Sequence, residues 1–368
     1  MKLGEYMKKL ISFMLAVIVV FSVNTASLAD KNTQSVSVKK VVSLKVKLSK
    51  GKKTTIKWKK VSAKGYQVFR KTKNAKKFKK IASVKKNKFS DKLKSPKTCY
   101  YKVRAFKKVD NKVYFGKFSK VLRVIKLNKL EKKLRKKLNK YSGKWSVYVK
   151  DLKTNDNFII NDTSFRSASV IKAFAMASLF DKIKKGKVKY KGSVKSNMNQ
   201  MITVSSNEGF NQIVKFHTKS HNFLSGAKEA NKYIKNNGYK NTYISNVIRP
   251  CSSTYQSLGG LNIVSAKDCG KLLERIYKGK CVSKKYSAEM LRLLKNQTFR
   301  NKIPSGVPDG ITVANKTGEN SYTEHDIAIV YGKKTTYILC VLSTISDKSA
   351  AQSNIRGISK QVYNYLNK

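Results

Sequence analysis

The chain has 368 residues, with 81 Lys or Arg against 19 Asp or Glu, a net charge of +62, and 40% hydrophobic residues. That length allows two or three domains, and the apolar content supports packed cores, which excludes a disordered polycation. The charge runs along almost the whole chain and forms no single stripe, which together with an export signal argues against a nucleic-acid partner.

That signal is at the front. Lys2, Lys8 and Lys9 precede an apolar run over residues 10–21 broken only by Ser12, and Ser27-Leu28-Ala29 offers small residues where a signal peptidase reads. Residues 1–29 are therefore expected to be a signal peptide cleaved after Ala29, because the run is short for a bilayer span. The implied location is extracellular, and the sparse use of cysteine suits the envelope of a Gram-positive-type bacterium. There a polycation meets anionic wall polymers, in binding that weakens with salt. The alternative is that lysine merely fills solvated surface positions.

After a linker over residues 30–41, residues 42–125 read as short alternating strands: Thr54-Thr55-Ile56-Lys57-Trp58, Tyr66-Gln67-Val68-Phe69 and Tyr101-Lys102-Val103-Arg104-Ala105, punctuated by Gly51, Gly65 and Gly116. Many half-buried strands in succession predict an all-β sandwich. With Trp58 early, Gly65-Tyr66-Gln67-Val68-Phe69-Arg70 next and Tyr100-Tyr101-Lys102-Val103-Arg104-Ala105 later, the segment resembles a fibronectin type III domain. Trp58 and the tyrosines are read as core and not as a sugar platform. No nucleophile, acid pair or metal cluster stands out here, so a spacer or surface-binding role is expected. The five cysteines, Cys99, Cys251, Cys269, Cys281 and Cys340, are odd in number and irregularly spaced, which predicts buried thiols and no disulfide framework.

Residues 126–368 form the second domain. Leucines at 127, 130, 134 and 138 predict a helix over 127–141. Trp145-Ser146-Val147-Tyr148-Val149 reads as a strand with Phe158-Ile159-Ile160 as its hairpin partner. From Val170 to Phe180 the chain is apolar almost throughout, as in a buried helix. Three short motifs follow in order: Ser169-Val170-Ile171-Lys172, Ser205-Ser206-Asn207 and Lys316-Thr317-Gly318. Ser-x-x-Lys alone is noise in this chain, since Ser37/Lys40, Ser49/Lys52 and Ser225/Lys228 also fit; the ordered set of three is not.

The set describes a serine activated by lysine. Ser169 at the start of a buried helix has a backbone N–H in the unpaired first turn, where the helix dipole favours an oxyanion. Lys172, three residues on, rises on the same face, and burial with a second cation, Lys316, lowers its pKa so that it can act as a base. Ser205 is placed to relay a proton, and Asn207 to hold Lys172 and a substrate carbonyl. Lys316 and Thr317 are expected to grip a carboxylate, Gly318 to let the substrate lie along an edge strand, and the N–H of Glu319 to be the second oxyanion donor. No cofactor is implied. His217 and His221 lack a third ligand and are read as surface residues with no metal, while His325 is read as shaping the sheet edge.

From about residue 127 onward these motifs, with Met201-Ile202-Thr203-Val204 and Glu324-His325-Asp326-Ile327-Ala328-Ile329-Val330, make the chain resemble the class A β-lactamase-like serine hydrolases of the penicillin-recognising family. The resemblance implies an α/β fold: an antiparallel sheet flanked by helices, a helical subdomain between Ser169 and the Lys316 strand, and a C-terminal helix over 353–366. Three departures stand out. Ser206 replaces a common aspartate. Only 36 residues separate Ser169 from Ser205 (205 − 169), so the helical subdomain is trimmed. The glutamate that class A enzymes use in an Ω-shaped loop to activate the deacylating water is missing, for no Asp or Glu lies between Glu229 and Asp268. Glu208, Glu229 or Lys172 remain as substitute bases. The resemblance implies a monomer acting on a β-lactam or related cell-wall amide. The alternatives are a D,D-peptidase working on peptidoglycan stem peptides and a catalytically weak wall-binding protein.

Overall fold

The computed structural model describes residues 36–48, 53–72, 75–92, 98–251, 254–345 and 347–368. The export signal read at residues 1–29 lies outside them.

The alternating segments form two antiparallel sheets. Strands β1 (Lys45–Leu48), β2 (Lys53–Lys57) and β5 (Lys88–Lys92) pair in the order β1-β2-β5. Strands β3 (Gly65–Thr72), β4 (Lys79–Val84), β6 (Cys99–Val109) and β7 (Lys112–Phe115) pair in the order β4-β3-β6-β7, with β8 (Leu122–Val124) also on β6. Every second residue of β6 (Cys99, Tyr101, Val103 and Ala105) turns inward onto Val46, Ile56, Tyr66 and Val68. Trp58 is 4% exposed and meets Tyr66 edge-on at 5.2 Å, which makes it a core residue. Asp91 is buried and accepts from Tyr101 Oη at 2.7 Å and from Arg70 at 2.6 Å, so its charge is paired as burial requires.

Val124 still belongs to this core, whereas Ile125 and Leu127 pack in the next one. Helix α1 (Asn128–Leu138) is shorter at both ends than the leucine spacing suggested. A five-stranded antiparallel sheet follows in the order β10-β9-β15-β14-β13, built from β9 (Lys144–Asp151), β10 (Asn157–Ile160), β13 (Val313–Asn320), β14 (Thr323–Tyr331) and β15 (Thr336–Thr344). Both faces of β14 and β15 are covered, so residues 327–330 and 337–342 read as continuous apolar runs. On β15, Tyr337, Leu339 and Val341 face α1 and the C-terminal helix α8 (Lys348–Asn367), while Ile338, Cys340 and Leu342 face the helical core.

That second core surrounds α2 (Ile171–Lys184), of whose 14 residues 11 are buried. Around it lie α3 (Gly192–Thr203), α4 (Asn207–Lys215), α5 (Phe223–Asn236), α6 (Ala266–Tyr277) and α7 (Lys284–Lys295). Between the end of α2 and the second motif lies one short helix, α3. A short ribbon of β11 (Ser164–Arg166) and β12 (Ile263–Ser265) leads the chain into α2. Cys99, Cys269, Cys281 and Cys340 are buried thiols. His217 is also buried, with Nε2 2.8 Å from the Ser178 hydroxyl and Nδ1 3.0 Å from the Ile213 carbonyl. This corrects the reading of both histidines as surface residues; only His221 is exposed.

Candidate active site

The nucleophile candidate sits on a 3₁₀ turn, Ala168–Val170, that runs directly into α2. Ala168 enters it with φ +42°, and the approach is clamped from two sides. The Ser167 N–H donates to Asn262 O at 2.8 Å. His325 Nε2–H donates to Arg166 O at 2.8 Å, while its Nδ1 accepts from the Ser343 N–H at 3.2 Å. These partners fix one neutral tautomer, and burial lowers the ring's pKa to about 4. His325 therefore lies on an inner strand, β14, and holds the nucleophile's leader segment, which corrects its reading as a sheet-edge residue. Gly318 is on the edge strand β13. A Cβ there would come within 3.0 Å of the Val170 amide nitrogen and 3.1 Å of Ser167 O. The glycine thus makes room for the nucleophile's own turn, besides the substrate room expected of it.

The three motifs converge. Lys172 Nζ lies 2.8 Å from Ser169 Oγ, 2.6 Å from Ser205 O and 2.7 Å from Asn207 Oδ1. A neutral amine has two N–H bonds and one lone pair. Two of its neighbours, a peptide carbonyl and an amide oxygen, can only accept. The lone pair is therefore left facing the one partner with a proton to give, the Ser169 hydroxyl. Burial, reinforced by the charge of Lys316, lowers the Lys172 pKa to about 6. Lys316 is itself fully buried, which with the charge of Lys302 lowers its pKa to about 7 against the pull of Asp326. Its Nζ donates to Ser205 Oγ at 2.8 Å and to Thr317 O at 2.9 Å. Ser205 Oγ, 3.4 Å from Lys172 Nζ, connects the two amines.

Local backbone explains the middle motif. Ser205 is left-handed, with φ +60°, and Ser206 is the N-cap of α4, accepting from Gly209 N at 2.9 Å. Serine and aspartate cap equally well, so the departure at 206 leaves the geometry intact. Capping falls to Ser206, which frees the Ser205 hydroxyl for Lys316.

A cleft of about 390 Å³ opens in front of Ser169, walled by Asn207, Arg249, Tyr255, Glu319 and Tyr322 among others. Lys172, Ser205, Lys316, Thr317 and Gly318 lie behind it; Thr317 is 3% exposed. Asparagines hold the loop that forms one wall. Asn231 exchanges both bonds with Ile244 (2.7 and 2.9 Å) and Asn211 does so with Ile248 (3.2 and 3.0 Å). Asn262 accepts from the N–H groups of Ser245 and Asn246 at 2.7 and 3.1 Å, and Asn207 Nδ2 reaches Pro250 O at 3.4 Å. Each side-chain amide pairs with backbone much as a neighbouring strand would.

Two of the substitute bases are committed elsewhere. Glu229 is ion-paired to Lys182 at 2.5 Å and Lys232 at 2.6 Å, in a different pocket alongside Ser178 and Asp181. Glu208 accepts from Gln212 Nε2 at 2.7 Å. Sequence reasoning missed Lys302. It is fully buried behind β13, 2.5 Å from Glu324 and 3.1 Å from Glu319, and so ties down the residue after the Lys-Thr-Gly motif. No local pattern marks it among 81 basic residues.

Residues 129–198 and 189–366 match the Beta-lactamase enzyme family. A comparison with curated proteins finds no match. Among solved structures, the fold is similar to a point mutant of PBP-A in an acyl-enzyme complex with penicillin G, at TM-score 0.58 and 20% identity over 65% of this chain and 96% of that one. It is similar to the TLA-1 extended-spectrum β-lactamase at TM-score 0.56 and 18% identity, covering 66% and 99%. It is also similar to a β-lactamase from Sphaerobacter thermophilus at TM-score 0.53 and 17% identity, covering 60% and 90%.

Proposed function

The chain belongs to the Beta-lactamase enzyme family, and from that premise we propose that it is an exported serine hydrolase, acylated at Ser169 by a β-lactam or a related cell-wall amide and slow to release the product. The observation that carries this reading is the Lys172 amine, with two carbonyl acceptors and the Ser169 hydroxyl as its partners.

The geometry supports the following steps. Neutral Lys172 takes the Ser169 proton as Oγ attacks the substrate carbonyl. The N–H groups of Ser169 and Glu319 receive the developing oxyanion. Ser205, bonded to Lys316 and 3.4 Å from Lys172 Nζ, passes its proton to the leaving nitrogen and takes up the one Lys172 received, which returns both groups to their starting state. Asn207 orients both Lys172 and the substrate, while the Thr317 hydroxyl and the Lys316 amine in its protonated form are directed toward a substrate carboxylate. Deacylation then needs an activated water, yet the cleft loop between Glu229 and Asp268 holds no carboxylate. A positioned base is worth roughly 10²–10⁴-fold, so the acyl-enzyme persists. That persistence favours penicillin-binding behaviour, with D,D-peptidase activity on stem peptides as the second reading.

The export pattern at residues 1–29 and the high charge support a place at the cell envelope. The two sheets around Trp58 support a fibronectin type III-like module ahead of the enzyme. Intact mass spectrometry after mixing with benzylpenicillin tests the central claim. A covalent adduct on Ser169 that outlasts excess drug is expected. No adduct refutes acylation, and an adduct cleared within seconds refutes slow release.

A further inference from the structure

On the outward face of the β4-β3-β6-β7 sheet, where a sandwich normally shows small polar residues, aromatic rings alternate with cations. Tyr100, Lys102, Arg104 and Phe106 point outward from β6, and register sets Lys71 opposite Tyr100, Phe69 opposite Lys102 and Gln67 opposite Arg104. Lys102 Nζ stands 3.8 Å from the centre of the Phe118 ring and 4.7 Å from that of Phe78, and the Arg104 guanidinium stands 3.8 Å from that of Phe115. Lys71 lies 5.7 Å from the Tyr100 ring. These rings belong to neither sheet's buried core, and Phe115 is 44% exposed beside Val113 at 46%. Residues 42–125 contain only two acids. Asp91 is buried against Arg70 and Tyr101, and Asp110 sits at the tip of the β6–β7 turn. Among the described residues of this segment, none brings a carboxylate to this face.

We propose that this face binds an anionic polymer of sugar or polyol units joined by phosphodiesters. Cation–π contacts hold the cationic heads in fixed places at little further entropic cost. Successive outward positions on β6 lie about 7 Å apart, a spacing that suits repeated phosphates. The rings between them offer flat apolar surfaces to the units linking those phosphates. The choice of a wall-type polymer over a nucleic acid rests on the exported reading above.

Two charge-matched triple variants of the full chain test the proposal. One is Lys71→Ser, Lys102→Ser, Arg104→Ser. The other is Lys45→Ser, Lys57→Ser, Lys88→Ser, an exposed row on the opposite sheet. The probes are poly(glycerol phosphate) and a single-stranded oligonucleotide of equal charge, at about 150 mM salt where diffuse attraction is screened. The first triple should weaken polymer binding about tenfold or more and the second about twofold or less, because only the first removes fixed contacts. Phe115→Ser should weaken binding several-fold with an unchanged salt slope. Equal losses in both triples would reduce the interaction to diffuse charge. Tighter oligonucleotide binding, lost in the same variant, would make the face a nucleic-acid site. Either result overturns the proposal. Benzylpenicillin labelling of Ser169 is read in the same samples, so the binding face and the acylation site stand or fall separately.

Discussion

Lysine does opposite work in the two halves of this chain. Over residues 42–125 no lysine among the described residues is buried, and the lysines stand in water or over rings outside the buried core. In the second half Lys172, Lys302 and Lys316 are 0% exposed. Removing an ammonium from water costs several kcal/mol, and the structure meets that cost in two ways. Lys302 keeps a carboxylate partner in Glu324. Lys172 and Lys316 have their pKa values driven down to about 6 and about 7. The same residue type is a solvated charge, a buried ion pair or a latent base according to what the fold sets beside it.

The contrast breaks most visibly at Lys172. Lys172→Arg puts a permanent cation on the same helix face, one that does not deprotonate. Acylation by benzylpenicillin should fall by about 10²–10⁴-fold, read as the rate of adduct formation by mass spectrometry, with the fold retained by circular dichroism. An unchanged rate would remove lysine from the proton path.

The next largest effect concerns stability. Lys302→Met leaves Glu324 buried without its partner, which should cost about 3–5 kcal/mol. Lys88→Met, on an exposed strand position, should stay within about 0.5 kcal/mol. Denaturant midpoints of the two variants measure the difference directly, and comparable losses would erase the distinction between solvated and buried lysine.

Much of this was legible before the structure. Ser169 and Lys172 meet because three residues make about one helical turn, and the side chains of all three motifs come within hydrogen-bonding distance. β14 and β15 were evident as apolar runs because both of their faces are covered. The sequence was silent on contacts made across long separations. Lys302 meets Glu324 through packing alone. Asn211, Asn231 and Asn262 look like ordinary polar residues until the loop backbone that they pair with is in place. His217 and His325 were misread because a histidine's burial depends on neighbours such as Ser178 and the Arg166 carbonyl, remote in the chain.

Arg249 stands between the two regimes, exposed yet part of the cleft wall. Arg249→Glu adds a carboxylate to a loop that has none. It should speed release of the benzylpenicillin adduct, by about 10²-fold where the new side chain positions water as a general base does. Decay of the adduct mass after removal of free drug reports it. A lifetime equal to that of the unmodified protein would mean that slow release has a cause other than the missing acid.

The smallest effect is also the one that sets the two halves directly against each other. On the proposed mechanism acylation needs Lys172 neutral, and its pKa is lowered to about 6 by burial and by Lys316. Protonation on the acid side closes the lone pair that faces Ser169. Between pH 7 and pH 5 the acylation rate should therefore drop about tenfold, following the neutral fraction. The first-half face carries no histidine and no buried lysine among the described residues, and phosphodiesters stay anionic in that window. Polymer binding through the β4-β3-β6-β7 face should accordingly be flat from pH 7 to pH 5 while labelling of Ser169 declines in the same samples. Parallel declines would mean that the two halves share one titrating group, and the assignment of distinct electrostatic roles to their lysines would fail.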